Sequence, residues 1–322
     1  MTVKIIGTGR GIPQNIVSND DLAKIMDTSD EWIHSRTGIH NRHMVKEEGT
    51  TTLAVTASEN AIKKAGISPE EIDLIIVGTV SGDMCFPSTA CQVQAAIGAV
   101  NAVAYDISAG CSGFIFALNA AYGYIMSGMA KCALIIGAET LSKMVDWEDR
   151  STCVLFGDGA GAAIVKAVDS EGGVLAVAQH SDGAGGDVLT GKNRNVRNPL
   201  IDNKEEVFYL EMEGQEVFKF AVKMVPKCIV EVLEKAGKTL DEVDMFVLHQ
   251  ANCRIIESVS KRLKVPMEKF PMNIENFGNT SAASIPILLD ELNEQGKIKE
   301  GDTIVFSGFG AGLTWGATLV EW

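Results

Sequence analysis

AGISPEEIDLIIVG (residues 65–78) returns as AGKTLDEVDMFVLH (residues 236–249), each position of the first stretch answered by the one 171 places later (236 − 65 = 171). The Ala-Gly pair, the triplets Glu71-Ile72-Asp73 and Glu242-Val243-Asp244, and the closing apolar run keep their places in both copies. An amphipathic helical pattern leads into each copy and an apolar strand leaves it. The same offset carries Gly137, behind the run ALII, onto Gly308 behind TIVFS. It also carries Cys111 onto Ala282, each at the head of a helical pattern rich in small residues. One short match could arise by chance, but three elements at one fixed spacing predict a duplicated α/β unit. The expected halves are residues 1–170 and 171–322.

Within each half, helical patterns alternate with short apolar strands, the signature of buried sheets in an α/β fold. The stretch SGFIFALNAAYGYIMSG (112–128) is apolar or small nearly all round, with Asn119 as its main polar interruption, so it belongs at the centre of the molecule. A long mobile loop is expected only at 181–206, rich in Gly, Asp, Asn and Arg.

A hydrophobic fraction of 46% over 322 residues supplies a large core. The sequence has no run of about 20 apolar residues and no basic-then-apolar start, which predicts a soluble, cytoplasmic chain off the membrane. Seven cysteines without a CxxC pair argue against a disulfide framework and against a zinc site, so no metal is expected. A formal charge of −14 argues against nucleic acid as a partner.

AGCSG (109–113) sets Cys111 directly behind the strand pattern AVAYDI and at the predicted N-terminus of the central helix. Unpaired N–H groups and the helix dipole there favour a thiolate. Gly110 and Gly113 suit a tight turn that leaves the Cys111 N–H to an oxyanion. Taken alone, a cysteine such as Cys111 reads more readily as a small core residue, as Cys132 and Cys153 do. His249 ends MFVLH, at a strand end of the kind that often carries catalytic groups, or else is a satisfied core histidine. Asn279, in NFGNTSAAS, stands three residues before the counterpart of Cys111, where a turn or cap explains it equally well. As a set, Cys, His and Asn fit a papain-like hydrolase or an acyl transferase. The Gly-rich stretches GTGRGIP and FGDGAGA are not phosphate loops. The first runs into a proline, the second reads as a turn before the strand AAIV, and neither carries the P-loop lysine.

Read in order, GTGRGIP, DEWIHSRTGI (30–39), AYDISAGCSGF (104–114), FGDGAGA (156–162), LHQAN (248–252), ENFGNTSAAS (275–284) and GFGAGLTWG (308–316) resemble the β-ketoacyl-acyl carrier protein synthase III family of the thiolase superfamily, nearly end to end. The resemblance implies a duplicated thiolase-like fold layered α-β-α-β-α. It further implies an acyltransferase that joins a short acyl-CoA, acetyl-CoA foremost, to malonyl-acyl carrier protein with loss of CO2 and so initiates type II fatty-acid synthesis. The alternative on the same fold is an acyl-CoA-dependent acyl transferase or a condensing enzyme of a secondary-metabolite pathway. Cys111 would hold the acyl group, with the Cys111, Gly310 and Ala311 backbone as oxyanion hole, and His249 and Asn279 would act on the malonyl thioester. No cofactor is implied, since both thioesters are substrates.

By the same resemblance Trp32, Arg36, Thr37 and Arg150 would clamp the CoA head, and Met212, Gly214 and Asn252 would line its pantetheine tunnel. Leu155, Phe156, Leu189 and Phe309 would shape the acyl pocket, with Phe86 contributed across the interface of a homodimer. An acidic carrier protein needs local positive charge on a chain this acidic. Lys219, Lys223 and Lys227 form one stripe if their helix survives Pro226, and Arg254, Lys261, Arg262 and Lys264 cluster in the next helical segment. Either group also fits an ordinary solvated face.

Overall fold

The structure is a computed structural model that describes residues 1–192, 200 and 207–322. Of the loop expected at 181–206, residues 193–199 and 201–206 lie outside the described residues. The chain begins β1 (Thr2–Gly11), β2 (Ile16–Ser18), α1 (Asn19–Leu22), α2 (Asp30–Thr37), β3 (Asn41–His43), α3 (Thr50–Ala65), β4 (Leu74–Gly78) and α4 (Thr89–Ile97). It continues β5 (Val103–Ile107), α5 (Gly113–Met126), β6 (Cys132–Thr140), β7 (Asp158–Val168), β8 (Gly173–Ser181), β9 (Leu189–Gly191) and β10 (Leu210–Met212). The remainder is α6 (Gly214–Ala236), β11 (Met245–Leu248), α7 (Cys253–Leu263), α8 (Ile274–Phe277), α9 (Ser284–Glu294), β12 (Thr303–Gly310) and β13 (Thr314–Glu321).

The strands form two large sheets of matching plan. One runs β1-β7-β6-β4-β5 and the other β8-β13-β12-β11. In both, the strands nearest one edge run parallel (β6, β4 and β5 in the first sheet, β12 and β11 in the second) and the remaining pairs are antiparallel. The offset of 171 superposes β1 on β8, β4 on β11, the start of β6 on that of β12, and the starts of α5 and α9, Gly113 and Ser284. The second sheet has no counterpart of β5, because the residues 171 places after it run through the short helix α8.

Alternation along the strands makes five layers. Leu74 and Ile76 of β4 face a central cluster with Phe114, Ile115 and Leu118 of α5 and with Ile285, Leu288 and Leu289 of α9. Ile75 and Val77 face outward to Leu53, Ala57 and Ala61 of α3. Phe246 and Leu248 of β11 pack with Val225, Ile229 and Val232 of α6 and Ile256 of α7. The order is therefore helices, sheet, α5 with α9, sheet, helices. The all-round apolar stretch lies in the middle layer, where each fully buried Phe, Ile or Leu contributes roughly 1.5–3 kcal/mol.

Most of FGDGAGA, read above as a turn, is strand, and GTGRG belongs to β1. Asp158–Val168 is one strand, so FGDGAGA turns only at its first residues. The reason is helix approach, since a side chain at Gly161 would stand 2.6 Å from the Ile287 backbone nitrogen of α9. On β1, side chains at Gly7, Gly9 and Gly11 would meet carbonyls of Ala61, Ala57 and Leu53 on α3 at 2.5, 2.3 and 2.2 Å. Alternate residues share a strand face, so this spacing is a groove for a helix.

The repeat is not symmetric in its tolerances. A methyl at Gly137 would stand 2.0 Å from the Ala282 carbonyl oxygen, whereas one at its twin Gly308 meets nothing closer than 3.4 Å. Gly137→Ala is expected to cost roughly 2–3 kcal/mol in denaturant unfolding and Gly308→Ala under about 1 kcal/mol. Equal costs at the two sites would show that β6 and α9 can move apart.

Candidate active site

Cys111, His249 and Asn279 reach one cavity from three elements, and all three line it. Cys111 follows β5 in the 3-10 turn Gly110–Ser112 that opens α5. His249 follows β11, its N–H continuing the ladder to the Ser307 carbonyl at 2.9 Å. Asn279 is threaded against residues 155–157: its N–H donates to the Leu155 carbonyl at 2.9 Å, and its carbonyl accepts from the Gly157 N–H at 3.0 Å. Two of the three thus sit at carboxyl ends of parallel-paired strands, where the open ends of an α/β sheet leave room for a ligand.

The orientation of each polar group is fixed from behind. Asn279 Oδ1 accepts the Ser281 N–H at 2.9 Å, which turns its Nδ2 donor away from that bond. His249 Nδ1 lies 2.7 Å from Ser284 Oγ, which also accepts the Gln250 N–H at 3.3 Å. That arrangement leaves Nε2 as the nitrogen available to a ligand. The imidazole meets the Phe309 ring edge to face at a centroid distance of 5.2 Å. Burial pushes its pKa down to about 3, so it is neutral at any ordinary pH.

Cys111 departs from the thiolate expected at a helix entrance. It is partly accessible from the cavity, yet burial pushes its thiol up to about 12, and the nearby Glu139 carboxylate adds to the rise. The Ser281 side chain and the residue's own N–H oppose this without overcoming it. Desolvation outweighs the backbone donors, and the resting group is a thiol. The end of β12 lies hard against it, since a side chain at Gly310 would stand 2.4 Å from the Cys111 nitrogen. One at Gly110 would stand 2.7 Å from the Ala311 nitrogen. Gly310 and Ala311 both line the cavity beside the sulfur.

The cavity measures about 640 Å³, within the range of small-molecule sites. Trp32, Arg36 and Thr37 line it on one side, with the Arg36 and Arg150 guanidinium carbons 4.6 and 5.2 Å from the indole centroid. Arg150 itself is outside the lining and donates to the Asp27 carbonyl. Met212, Gly214 and Asn252 line the passage. The Asn252 amide is already engaged, its Oδ1 capping α7 at the Arg254 N–H and its Nδ2 donating to the Arg36 carbonyl. Leu155, Phe156, Leu189 and Phe309 are lining residues as well. Phe86 is not among them and is 86% exposed.

The basic residues divide. α6 continues through Pro226 and carries Lys219, Lys223 and Lys227 exposed along it. Pro226 has no N–H for the Val222 carbonyl, and Arg262 donates to that carbonyl at 2.8 Å, so Arg262 mends the helix. Arg254 reaches from α7 to the Ser35 carbonyl on α2, beside Arg36, while Lys261 is exposed on α7. Sequence reasoning missed Ser281, Ser284 and Glu139. The first two stand in the quoted run NTSAAS, and the offset of 171 pairs Ser281 with Gly110 and Ser284 with Gly113. Among the described residues no helix is long and apolar enough to cross a membrane.

Models of the 3-oxoacyl-[acyl-carrier-protein (ACP)] synthase III family match residues 105–183, and of its C-terminal part residues 233–322. The chain is 51% identical over 321 residues to a β-ketoacyl-[acyl-carrier-protein] synthase III of Clostridium novyi, covering 99% of both chains. It superposes with a TM-score of 0.93 on the crystal structure of the 3-oxoacyl-[acyl-carrier-protein] synthase III from Aquifex aeolicus VF5, at 49% identity and covering 99% of this chain and 100% of that one. The priming β-ketosynthase from the R1128 polyketide biosynthetic pathway superposes at 0.92 with 36% identity, covering 99% of this chain and 96% of the other. The duplicated five-layer architecture and these likenesses agree: the chain belongs to the 3-oxoacyl-[acyl-carrier-protein] synthase III family of thiolase-fold condensing enzymes.

Proposed function

We propose that the chain initiates type II fatty-acid synthesis by condensing a short acyl-CoA, acetyl-CoA foremost, with malonyl-acyl carrier protein to a 3-oxoacyl-acyl carrier protein. The observation that carries the reading is the meeting of Cys111, His249 and Asn279 in one cavity that also takes in Trp32 and Arg36. The Cys111 sulfur attacks the primer thioester, the oxyanion rests on backbone N–H groups of Cys111 and the 310–311 segment, and CoA leaves. Thioester exchange is nearly isoenergetic. Malonyl-acyl carrier protein then loses CO2 while His249 Nε2 and Asn279 Nδ2 donate to its thioester oxygen. A neutral imidazole and an amide stabilise that enolate without protonating the carbon that must attack acyl-Cys111.

The CoA head would stack on Trp32 with its phosphates on Arg36 and Arg150. No resident metal or cofactor enters the scheme. Lys219, Lys223, Arg254 and Lys261 would receive the acidic carrier. A second copy would cover the face at β5, whose neighbourhood exposes Phe86, Val100 and Val103. The likeness to the polyketide priming enzyme favours one second reading, priming of a specialised pathway by the same chemistry.

Incubation with acetyl-CoA and carboxyl-labelled malonyl-acyl carrier protein is expected to release one labelled CO2 per 3-oxoacyl product. An acyl-Cys111 adduct without CO2 release would make the chain an acyl transferase instead.

A further inference from the structure

Glu139, next to last in β6, is fully buried, and no step above uses it. Its Oε2 accepts from the Val80 N–H at 3.2 Å, from Thr79 Oγ1 at 3.3 Å and from the Ser81 hydroxyl. Its Oε1 accepts from Ser281 Oγ at 3.1 Å. Among the described residues no Lys, Arg or His pairs with this carboxyl. A buried acid without a counter-charge is costly, and an amide of the same shape would avoid that cost.

Ser281 is the bridge. It lines the cavity together with Cys111, its hydroxyl proton is directed at Glu139, and its side chain draws the Cys111 thiol down. Its φ of 50° lies in the left-handed region, which disfavours a residue with a side chain. The position 171 places earlier is Gly110, with the same φ of 50°. The fold therefore accepts glycine at this turn in one half and keeps a strained serine in the other, where the hydroxyl reaches the carboxylate from the wall of the cavity that holds Cys111.

We propose that Glu139 receives the Cys111 thiol proton through the Ser281 hydroxyl during acyl transfer, holds it while the sulfur is acylated, and returns it when condensation frees the sulfur. The inference rests on the reading of Cys111 as the acyl-accepting nucleophile. In the forward step the thiol proton passes to Ser281 Oγ as the Ser281 proton passes to Glu139. The sulfur forms a bond to the thioester carbon, the carbon–sulfur bond to CoA breaks, and the CoA thiolate takes a proton from water. In the second step CO2 departs, the new carbanion takes the acyl carbon, and the freed Cys111 sulfur recovers its proton from Glu139. Over the cycle one solvent proton is consumed, on CoA.

Electrostatics support the assignment. Burial holds His249 too weak a base for a thiol near 12, while it lifts Glu139 to about 7. A neutral Glu139 in the acyl-enzyme also spares the growing enolate a negative neighbour. The groups facing Glu139 are Thr79 and Ser81 behind β4, Ser281 before α9 and the Cys111 thiol. Lys143 and Asp83 pair at Thr50, whose hydroxyl donates to the Ser81 carbonyl.

The test is the rate of Cys111 acylation by acetyl-CoA, followed by rapid quench and intact mass from pH 5.5 to 9 in the full chain. Glu139→Gln and Ser281→Gly are expected to slow acylation at pH 7 by about 10²-fold. Both should lose an inflection near pH 7 present in the parent, and Glu139→Asp should recover part of the rate. Ser281→Gly also relieves the strained turn, so its stability should hold or rise, and it decides the matter alone if Glu139→Gln fails to fold. Folded variants that acylate within twofold of the parent, with its pH profile, overturn the proposal. A parent that forms no adduct on Cys111 overturns the underlying reading instead.

Discussion

Cys111→Ser is expected to form no acyl adduct with acetyl-CoA and to lower condensation at least about 10³-fold. The serine hydroxyl is a weaker acid than a thiol, and the pocket that lifts Cys111 to about 12 would lift it further. A serine ester would also lie below a thioester in free energy, so passing the acyl group on to a carbanion would lose driving force. Isosteric replacement leaves the turn Gly110–Ser112, the close approach of Gly310 and the His249–Asn279 pair in place. The variant should therefore still release CO2 slowly from malonyl-acyl carrier protein with no 3-oxoacyl product. Intact-mass measurement over a panel of acyl-CoAs is the check. Adducts that persist at parental levels in the serine variant would remove Cys111 from the mechanism.

What the sequence disclosed and what it hid have separate physical causes. The repeat was legible because one offset of 171 survives in the turns ahead of β4 and β11 and in the entries to α5 and α9. The central layer was legible because α5 has no polar face. The glycines of β1 and β7 were not, since composition alone does not distinguish a turn from a strand that needs room for a helix. Arg262 read as part of a basic cluster, and only the carbonyl orphaned by Pro226 reveals its work inside the fold. Glu139 carried no motif, because its importance depends on which hydroxyls the two halves bring around it.

The same limit applies to Cys111. Its place behind a strand and ahead of a helix argued for a thiolate, and that geometry is present. The sequence could not weigh that field against desolvation from packing between two sheets, and desolvation is the larger effect. The thiol and the imidazole are thus both neutral at rest, which suits a site that must host a CoA anion first and an enolate second.

Asn279→Asp is expected to separate the two half-reactions. The new carboxylate can still accept the Ser281 N–H as Oδ1 does now, so the turn and the strand contact with residues 155–157 should persist. What changes is the atom facing the substrate: a donor to the enolate oxygen becomes an acceptor with negative charge. Losing one such donor costs about 10²–10³ in rate, and the added repulsion puts CO2 release at the upper end of that range or beyond. Acylation of Cys111 uses backbone donors instead and should stay within about tenfold of the parent. The parent's CO2 release should not follow a histidine ionisation between pH 5 and 8, because His249 titrates near 3. The aspartate variant should regain CO2 release as the pH falls, since the protonated carboxyl becomes a donor again. Equal losses in acylation and CO2 release, flat with pH, would mean that Asn279 holds the cavity together and does not act on the malonyl thioester.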